Sequence, residues 1–242
     1  MGASVIIPAR YDSTRFPGKP LALLKGKPLI QHVYENSSGS RLASGVVVAT
    51  DSDAVYEAVL SFGGKAVMTS KAHASGTDRC AEAALKLDCD IIVNVQGDEP
   101  LIRPEMIDDV IGLLDDKRAS IGTLARKADR KDEVFDPNIV KVVFDGEGFA
   151  FYFSRAPIPY HRDGWEGLAA YKHVGIYSYR KDALLRLSMM RPSALERIER
   201  LEQLRALESG MKIKVKETYF ETIGVDTPDD MERVEKWLSS SS

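Results

Sequence analysis

Apolar residues in the first half of the chain come in short dense runs, separated by stretches with helical spacing. Val5, Ile6 and Ile7 form the first run, rich in β-branched side chains, and read as a buried strand. Pro8 removes a backbone donor and ends regular pairing. A helix is predicted over Lys27–Tyr34, then a Ser- and Gly-rich surface loop over Asn36–Gly45. Val46–Thr50 is a second buried strand, ending in Asp51. Val55, Ala58, Val59 and Phe62 lie at helical spacing in Ala54–Phe62, and Gly63 with Gly64 stops that helix. Ala66–Thr69 and Ile91–Val95 read as strands, Thr77–Leu87 and Pro104–Leu114 as helices. Repeated strand–helix units predict an α/β fold: a mostly parallel, Rossmann-like sheet with helices on both faces. Ligands bind such sheets outside the carboxyl ends of the strands, where the loops after Ile7 and Val95 would lie.

After about Ala128 the rhythm changes. Ile139–Phe144 and Phe149–Ser154 read as two strands joined by Asp145-Gly146-Glu147-Gly148, a hairpin pattern, and Tyr171–Tyr179 as a further strand. Leu184–Met190 and Ala194–Leu207 are predicted helices. Leu195, Ile198, Leu201 and Leu204 form the core stripe of the second, and Glu202 and Gln203 face elsewhere. Ile213–Val215 is a late strand, Thr227–Trp237 the last helix and Ser239–Ser242 a frayed tail. The reading is a domain of residues 1–128 and 211–238, with a smaller α+β lobe, 129–210, inserted in it. The Phe149–Phe153 strand is apolar on both faces, which predicts a homodimer through this lobe.

A chain of 242 residues fits this plan, and a net charge of −3 argues against general nucleic-acid binding. Cys80 and Cys89 have no CxxC or metal spacing and suggest a reducing compartment. The first apolar run is too short for a signal peptide, and no span approaches the roughly 20 apolar residues of a membrane helix. The expectation is a cytoplasmic protein with no membrane partner.

The candidate chemistry lies in the loops. Val5–Pro20, VIIPARYDSTRFPGKP, carries Arg10, Arg15 and Lys19 with Ser13, Thr14 and Gly18 among them. Guanidinium forks, an ammonium and unobstructed N–H groups suit a polyphosphate, although a solvated basic loop reads the same. It is not a P-loop, which needs Gly where Ser13 stands and Ser or Thr where Pro20 stands, and it lacks the GxGxxG fingerprint of a Rossmann oxidoreductase. Ser75-Gly76-Thr77-Asp78-Arg79 opens a helix, with Ser75 or Thr77 as its cap. Asp98, in Asn94-Val95-Gln96-Gly97-Asp98-Glu99-Pro100, either belongs to a turn or meets Mg²⁺ beside phosphate oxygens. Asp226, in the second acidic turn Gly224-Val225-Asp226-Thr227-Pro228, reads as a cap of the last helix, with Pro228 in its first turn.

These segments resemble, in order, those of the bacterial 3-deoxy-manno-octulosonate (KDO) cytidylyltransferases. The match covers IIPARYDSTRFPGKPL, SGTDR, NVQGDEP, Phe153–Pro159, Lys172–Tyr177 and GVDTPDD. The resemblance implies a nucleotidyltransferase sheet and transfer of CMP from CTP to the anomeric hydroxyl of KDO, with release of pyrophosphate. The product activates the sugar for lipopolysaccharide synthesis. It implies Mg²⁺ on Asp98 and Asp226, a second Mg²⁺ on the triphosphate, and CTP held by Arg10, Ser13, Arg15, Lys19, Ser75, Thr77 and Arg79. Gln96, Arg155, His173, Tyr177, Glu202 and Gln203 are implied to hold the sugar acid, and the family is dimeric through the smaller lobe. Asp78 stands where many members have Glu. A CMP-sialic acid synthetase shares the chemistry, but STRFPGKP favours KDO. A non-catalytic nucleotide-binding protein is the alternative from another class.

Overall fold

The first apolar run becomes β1, Ala3–Ala9, with Val5, Ile6 and Ile7 fully buried. The computed structural model describes residues 2–11, 16–164 and 170–240. Two compact units emerge, Met1–Asp108 with Glu221–Ser242, and Asp109–Phe220.

In the first unit a short hairpin, β2 (Leu23–Leu24) and β3 (Lys27–Pro28), precedes α1, Leu29–Ser37. The predicted helix therefore starts two residues late, because Lys27 and Pro28 pair as strand. Then follow β4 (Ala43–Thr50), α2 (Asp53–Ser61), β5 (Ala66–Met68), α3 (Gly76–Ala84) and β6 (Ile91–Asn94). β6, β1, β4 and β5 lie side by side in that order, all parallel, with Ile6 opposite both Asn94 and Val47. Their continuous apolar runs follow from burial on both faces. The chain leaves this unit within α4, Pro104–Gly112, and returns for α9, Pro228–Ser240. Leu24, Leu29, Leu101, Val225 and Val234 form a core that packs the α9 segment against the loop after β6.

The second unit holds β7 (Ile121–Lys127), α5 (Lys131–Phe135), β8 (Lys141–Phe144), β9 (Ala150–Ser154), β10 (Tyr171–Arg180), α6 (Lys181–Ser188), α7 (Ala194–Glu199), α8 (Gln203–Glu208) and β11 (Ile213–Glu217). β7 pairs in parallel with β11 and antiparallel with β10, and β10, β8 and β9 continue antiparallel. β7 is absent from the sequence reading. Because β7 pairs with both β10 and β11, the division falls after Asp108 and Phe220. The sequence reading placed it after residues 128 and 210.

The predicted helix Ala194–Leu207 is broken. Arg200 is left-handed (φ 56°), and Ile198, expected in the core, is 76% exposed, whereas Leu201 and Leu204 are buried. The cause is Glu199. Its carboxylate accepts from Ser154 Oγ at 2.6 Å and the Arg155 N–H at 2.9 Å, and its carbonyl accepts from Arg155 Nε at 2.8 Å. These bonds hold the end of α7 to the end of β9 and outweigh the few tenths of a kcal/mol per residue by which propensity favours a continuous helix.

Candidate active site

In the first unit three distant segments meet at one ammonium. Gly18 takes φ 70°, a left-handed turn open to glycine, and starts a short 3₁₀ turn that carries Lys19. Lys19 Nζ lies 2.7 Å from Asp98 Oδ2 and 3.4 Å from Asp226 Oδ1. The Val225 N–H donates to the Asp98 carbonyl at 2.9 Å and ties the two acidic turns together. Gly97 is required there, since a Cβ would come within 2.8 Å of the Pro8 carbonyl oxygen. Asp226 does not cap α9. Thr227 does, its hydroxyl accepting from the Asp230 N–H at 3.3 Å while Asp230 Oδ2 accepts from the Thr227 N–H at 3.0 Å.

Glu99 lies behind this pair. Burial, reinforced by the charges of Asp98 and Asp226, pushes its carboxyl up to about 8, against the opposing pull of Lys19. Its Oε2 is buried without a hydrogen-bond partner. Among the described residues no three His, Cys, Asp or Glu side chains converge as a metal cluster. Two carboxylates on one cation still suit Mg²⁺, which takes one or two protein carboxylates and completes its shell with water and phosphate oxygens.

A cleft of about 480 Å³ opens beside the loop after β1, lined by Arg10, Tyr11, Asp51, Ser52, Asp53, Ala54 and Lys71. Arg10 is thus the one predicted nucleotide residue among the described side chains that line this cleft. Arg79 is fully buried, with Nη2 2.6 Å from Asp51 Oδ2 and Nη1 2.5 Å from Thr69 Oγ1. Its guanidinium holds a carboxylate of the cleft wall. Ser75 caps α3, accepting from the Asp78 N–H at 3.1 Å in a reciprocal capping box, and Thr77 is buried. Gln96 donates to Asn94 Oδ1 at 3.3 Å, and its Oε1 lies 3.6 Å from where a Cβ on Gly76 would be, so it sits at the α3 N-terminus. Ser13 and Arg15 lie outside the described residues.

The second unit holds the other five residues implied for the sugar acid. The rings of His173 and Tyr177 on β10 meet tilted at 43° with centroids 5.2 Å apart, and Phe153 meets the His173 ring edge-on at 5.1 Å. Burial holds the His173 imidazolium down to about 3, and burial with the Glu202 charge raises the Tyr177 hydroxyl well above its ordinary range. Glu202 accepts from Arg205 Nη2 at 2.8 Å, and Gln203 is buried at the start of α8. Arg155 donates from Nε to the Glu199 carbonyl and from Nη1 to the Pro137 carbonyl, both at 2.8 Å. Behind it Lys141, fully buried, donates to the carbonyls of Asp136, Ile139 and Arg155 at 2.6–2.9 Å.

Residues 4–213 match the profile of a family described as Cytidylyltransferase. The 3-deoxy-manno-octulosonate cytidylyltransferase of Thermodesulfovibrio yellowstonii is 53% identical, over 98% of this chain and 98% of its own. That of Geotalea uraniireducens is 54% identical, over 97% of this chain and 98% of its own. The chain belongs to the 3-deoxy-manno-octulosonate cytidylyltransferase family. A solved structure of CMP:2-keto-3-deoxy-manno-octonic acid synthetase complexed with CTP superposes with a TM-score of 0.95 at 44% identity, covering 100% of both chains.

In this cytidylyltransferase three residues near the candidate sites escaped the sequence reading. Asp51 showed only as the end of a strand, yet its place at the carboxyl edge of a parallel sheet is where ligands bind. Lys141 reads as one more strand position, although a lysine inside an apolar strand is a warning of a buried charge. Thr123 was lost with β7.

Proposed function

We propose that this chain transfers CMP from CTP to the anomeric hydroxyl of KDO. The hydroxyl gives its proton up to solvent as its oxygen bonds to the α-phosphorus, the bond from that phosphorus to the bridging oxygen breaks, and pyrophosphate leaves with the electron pair. The supporting observation is the meeting of Lys19, Asp98 and Asp226 on one ammonium, in a chain about half identical to KDO cytidylyltransferases over nearly its whole length. Asp98 and Asp226 would hold Mg²⁺, which would lower the pKa of the attacking hydroxyl. Lys19 is a point charge for the triphosphate, and Arg10 takes charge developing on pyrophosphate with its guanidinium fork. Arg15 and Ser13, in the same loop, are assigned to the phosphates, and Ser75 and Thr77 to the nucleotide. Arg79 supports the cleft through Asp51.

The sugar acid is assigned to Gln96, Arg155, His173, Tyr177, Glu202 and Gln203, whose donors and acceptors suit a carboxylate and a row of hydroxyls. A sugar that lacks one hydroxyl leaves a partner unpaired and is rejected. The product, CMP-KDO, feeds lipopolysaccharide synthesis. No helix among the described residues is long and apolar enough to cross a membrane, which accords with work in the cytoplasm. Phe151, 67% exposed on β9, and Ile198 are apolar side chains whose burial in a homodimer is favourable.

Pyrophosphate release with CTP, KDO and Mg²⁺, run against a panel of other nucleotides and sugar acids, tests this reading. Release with CTP and KDO far above every other pair is expected. Preference for a sialic acid, or no release with any pair, defeats it.

A further inference from the structure

The pairing of β10 with β7 is irregular: the register shifts between Val174 and Tyr177. At this shift the carbonyls of Val174 and Ile176 both approach Thr123 Oγ1, at 3.2 and 2.7 Å. Thr123 is fully buried on β7. His173 Nε2 reaches the same hydroxyl oxygen, at 3.0 Å.

A hydroxyl has one proton to give and lone pairs to accept with. The nearer carbonyl, Ile176 at 2.7 Å, takes the proton. If Nε2 took it instead, two oxygens at 2.7 Å would face each other in a buried site with no proton between them. Nε2 therefore carries the ring proton and donates to Thr123 Oγ1. Apolar crowding by Phe153 and Tyr177 keeps the ring neutral, its pKa lowered to about 3, so Nδ1 bears an unshared pair. Among the described residues the ring's one hydrogen bond is the one to Thr123.

We infer that Thr123 is a positioning residue that fixes His173 as its Nε2–H tautomer and so presents Nδ1 as an acceptor for a hydroxyl of the sugar acid. The sugar contact rests on the function proposed above, while the tautomer rests only on the strand geometry. A tautomer fixed this way selects for a ligand O–H, since the opposite tautomer would offer a donor at the same place.

The test uses the full chain labelled with ¹⁵N-histidine and a two-bond ¹H–¹⁵N correlation spectrum at neutral pH. His173 is one of four histidines, and its signals are those missing from His173→Gln. The wild-type ring should show the Nε2–H pattern. Thr123→Val keeps the shape and removes the hydroxyl, so it should shift the ring toward Nδ1–H. It should also raise the KM for KDO about tenfold and change the KM for CTP less than about twofold, the loss of one hydrogen bond to one substrate. Thr123→Ser should restore both the spectrum and the KM for KDO. An Nδ1–H ring in the wild-type chain overturns the inference, even where Thr123→Val fails to fold. So does a folded Thr123→Val with the wild-type pattern and unchanged KM for KDO. Absence of pyrophosphate release from CTP and KDO by the wild-type chain would instead sink the functional reading, with the spectrum still deciding the tautomer.

Discussion

Arg79→Leu should cost stability first and CTP handling second. Arg79 is fully buried, with one guanidinium nitrogen 2.6 Å from Asp51 Oδ2 and another 2.5 Å from Thr69 Oγ1. Deleting one partner of a buried ion pair costs about 3–5 kcal/mol, because the other charge is left without compensation. The Asp51 side chain keeps 17% of its surface exposed at the cleft and can rehydrate in part. The expected loss is therefore about 2–3 kcal/mol, with little added for a cavity because leucine refills much of the volume. For a chain of this length that lowers Tm by about 4–12 °C. A double-mutant cycle with Asp51→Asn isolates the pair, and a coupling of about 1–3 kcal/mol in urea unfolding is expected. The freed carboxylate beside Arg10 should repel the triphosphate and raise the KM for CTP several-fold. Should Tm move by less than about 2 °C and the coupling fall below about 0.5 kcal/mol while the KM for CTP rises tenfold, the reasoning is refuted. Arg79 would then meet the phosphates directly, as the family resemblance implies.

Other expectations are as specific. Asp98→Asn and Asp226→Asn should each lower kcat more than tenfold, about 1.4 kcal/mol of barrier, with far-ultraviolet circular dichroism unchanged; a variant keeping more than a tenth of the rate clears that residue of a metal role. Glu99 keeps its proton up to about pH 8 when folded and releases it near its ordinary 4.5 when unfolded. Its contribution is thus complete below pH 4.5 and lost as pH rises to about 8, so Glu99→Gln should flatten the fall of the urea midpoint across that window in metal-free buffer. An unaltered slope would show that Glu99 ionises normally. Light scattering at micromolar concentration should give the mass of a dimer, and Phe151→Glu should give a monomer; a monomeric wild-type chain removes the proposed interface.

The sequence by itself determined whatever is written in neighbouring residues. The β-branched runs at Val5–Ile7 and Ile91–Val95 announce buried parallel strands, because such strands meet apolar neighbours on both faces. Ser75 and Asp78 announce a helix start, because a cap needs only the first turn. The loops that carry Lys19, Asp98 and Asp226 are legible as polar turns bounding apolar runs, and it is their resemblance to family segments that implies phosphate and metal there. What only the tertiary structure decided involves partners far apart in the chain. Asp226 turns to Lys19, 207 residues away, because Thr227 and Asp230 already cap α9. The helix Ala194–Leu207 breaks at Arg200 because Glu199 is bound by Ser154 and Arg155, which no helical periodicity records. β7 escaped notice, yet it pairs with β10 and β11 and carries the hydroxyl that orients His173. The family resemblance sets Arg79 near the phosphates, and the fold buries its guanidinium against Asp51 and Thr69, partners 28 and 10 residues away that its motif does not name.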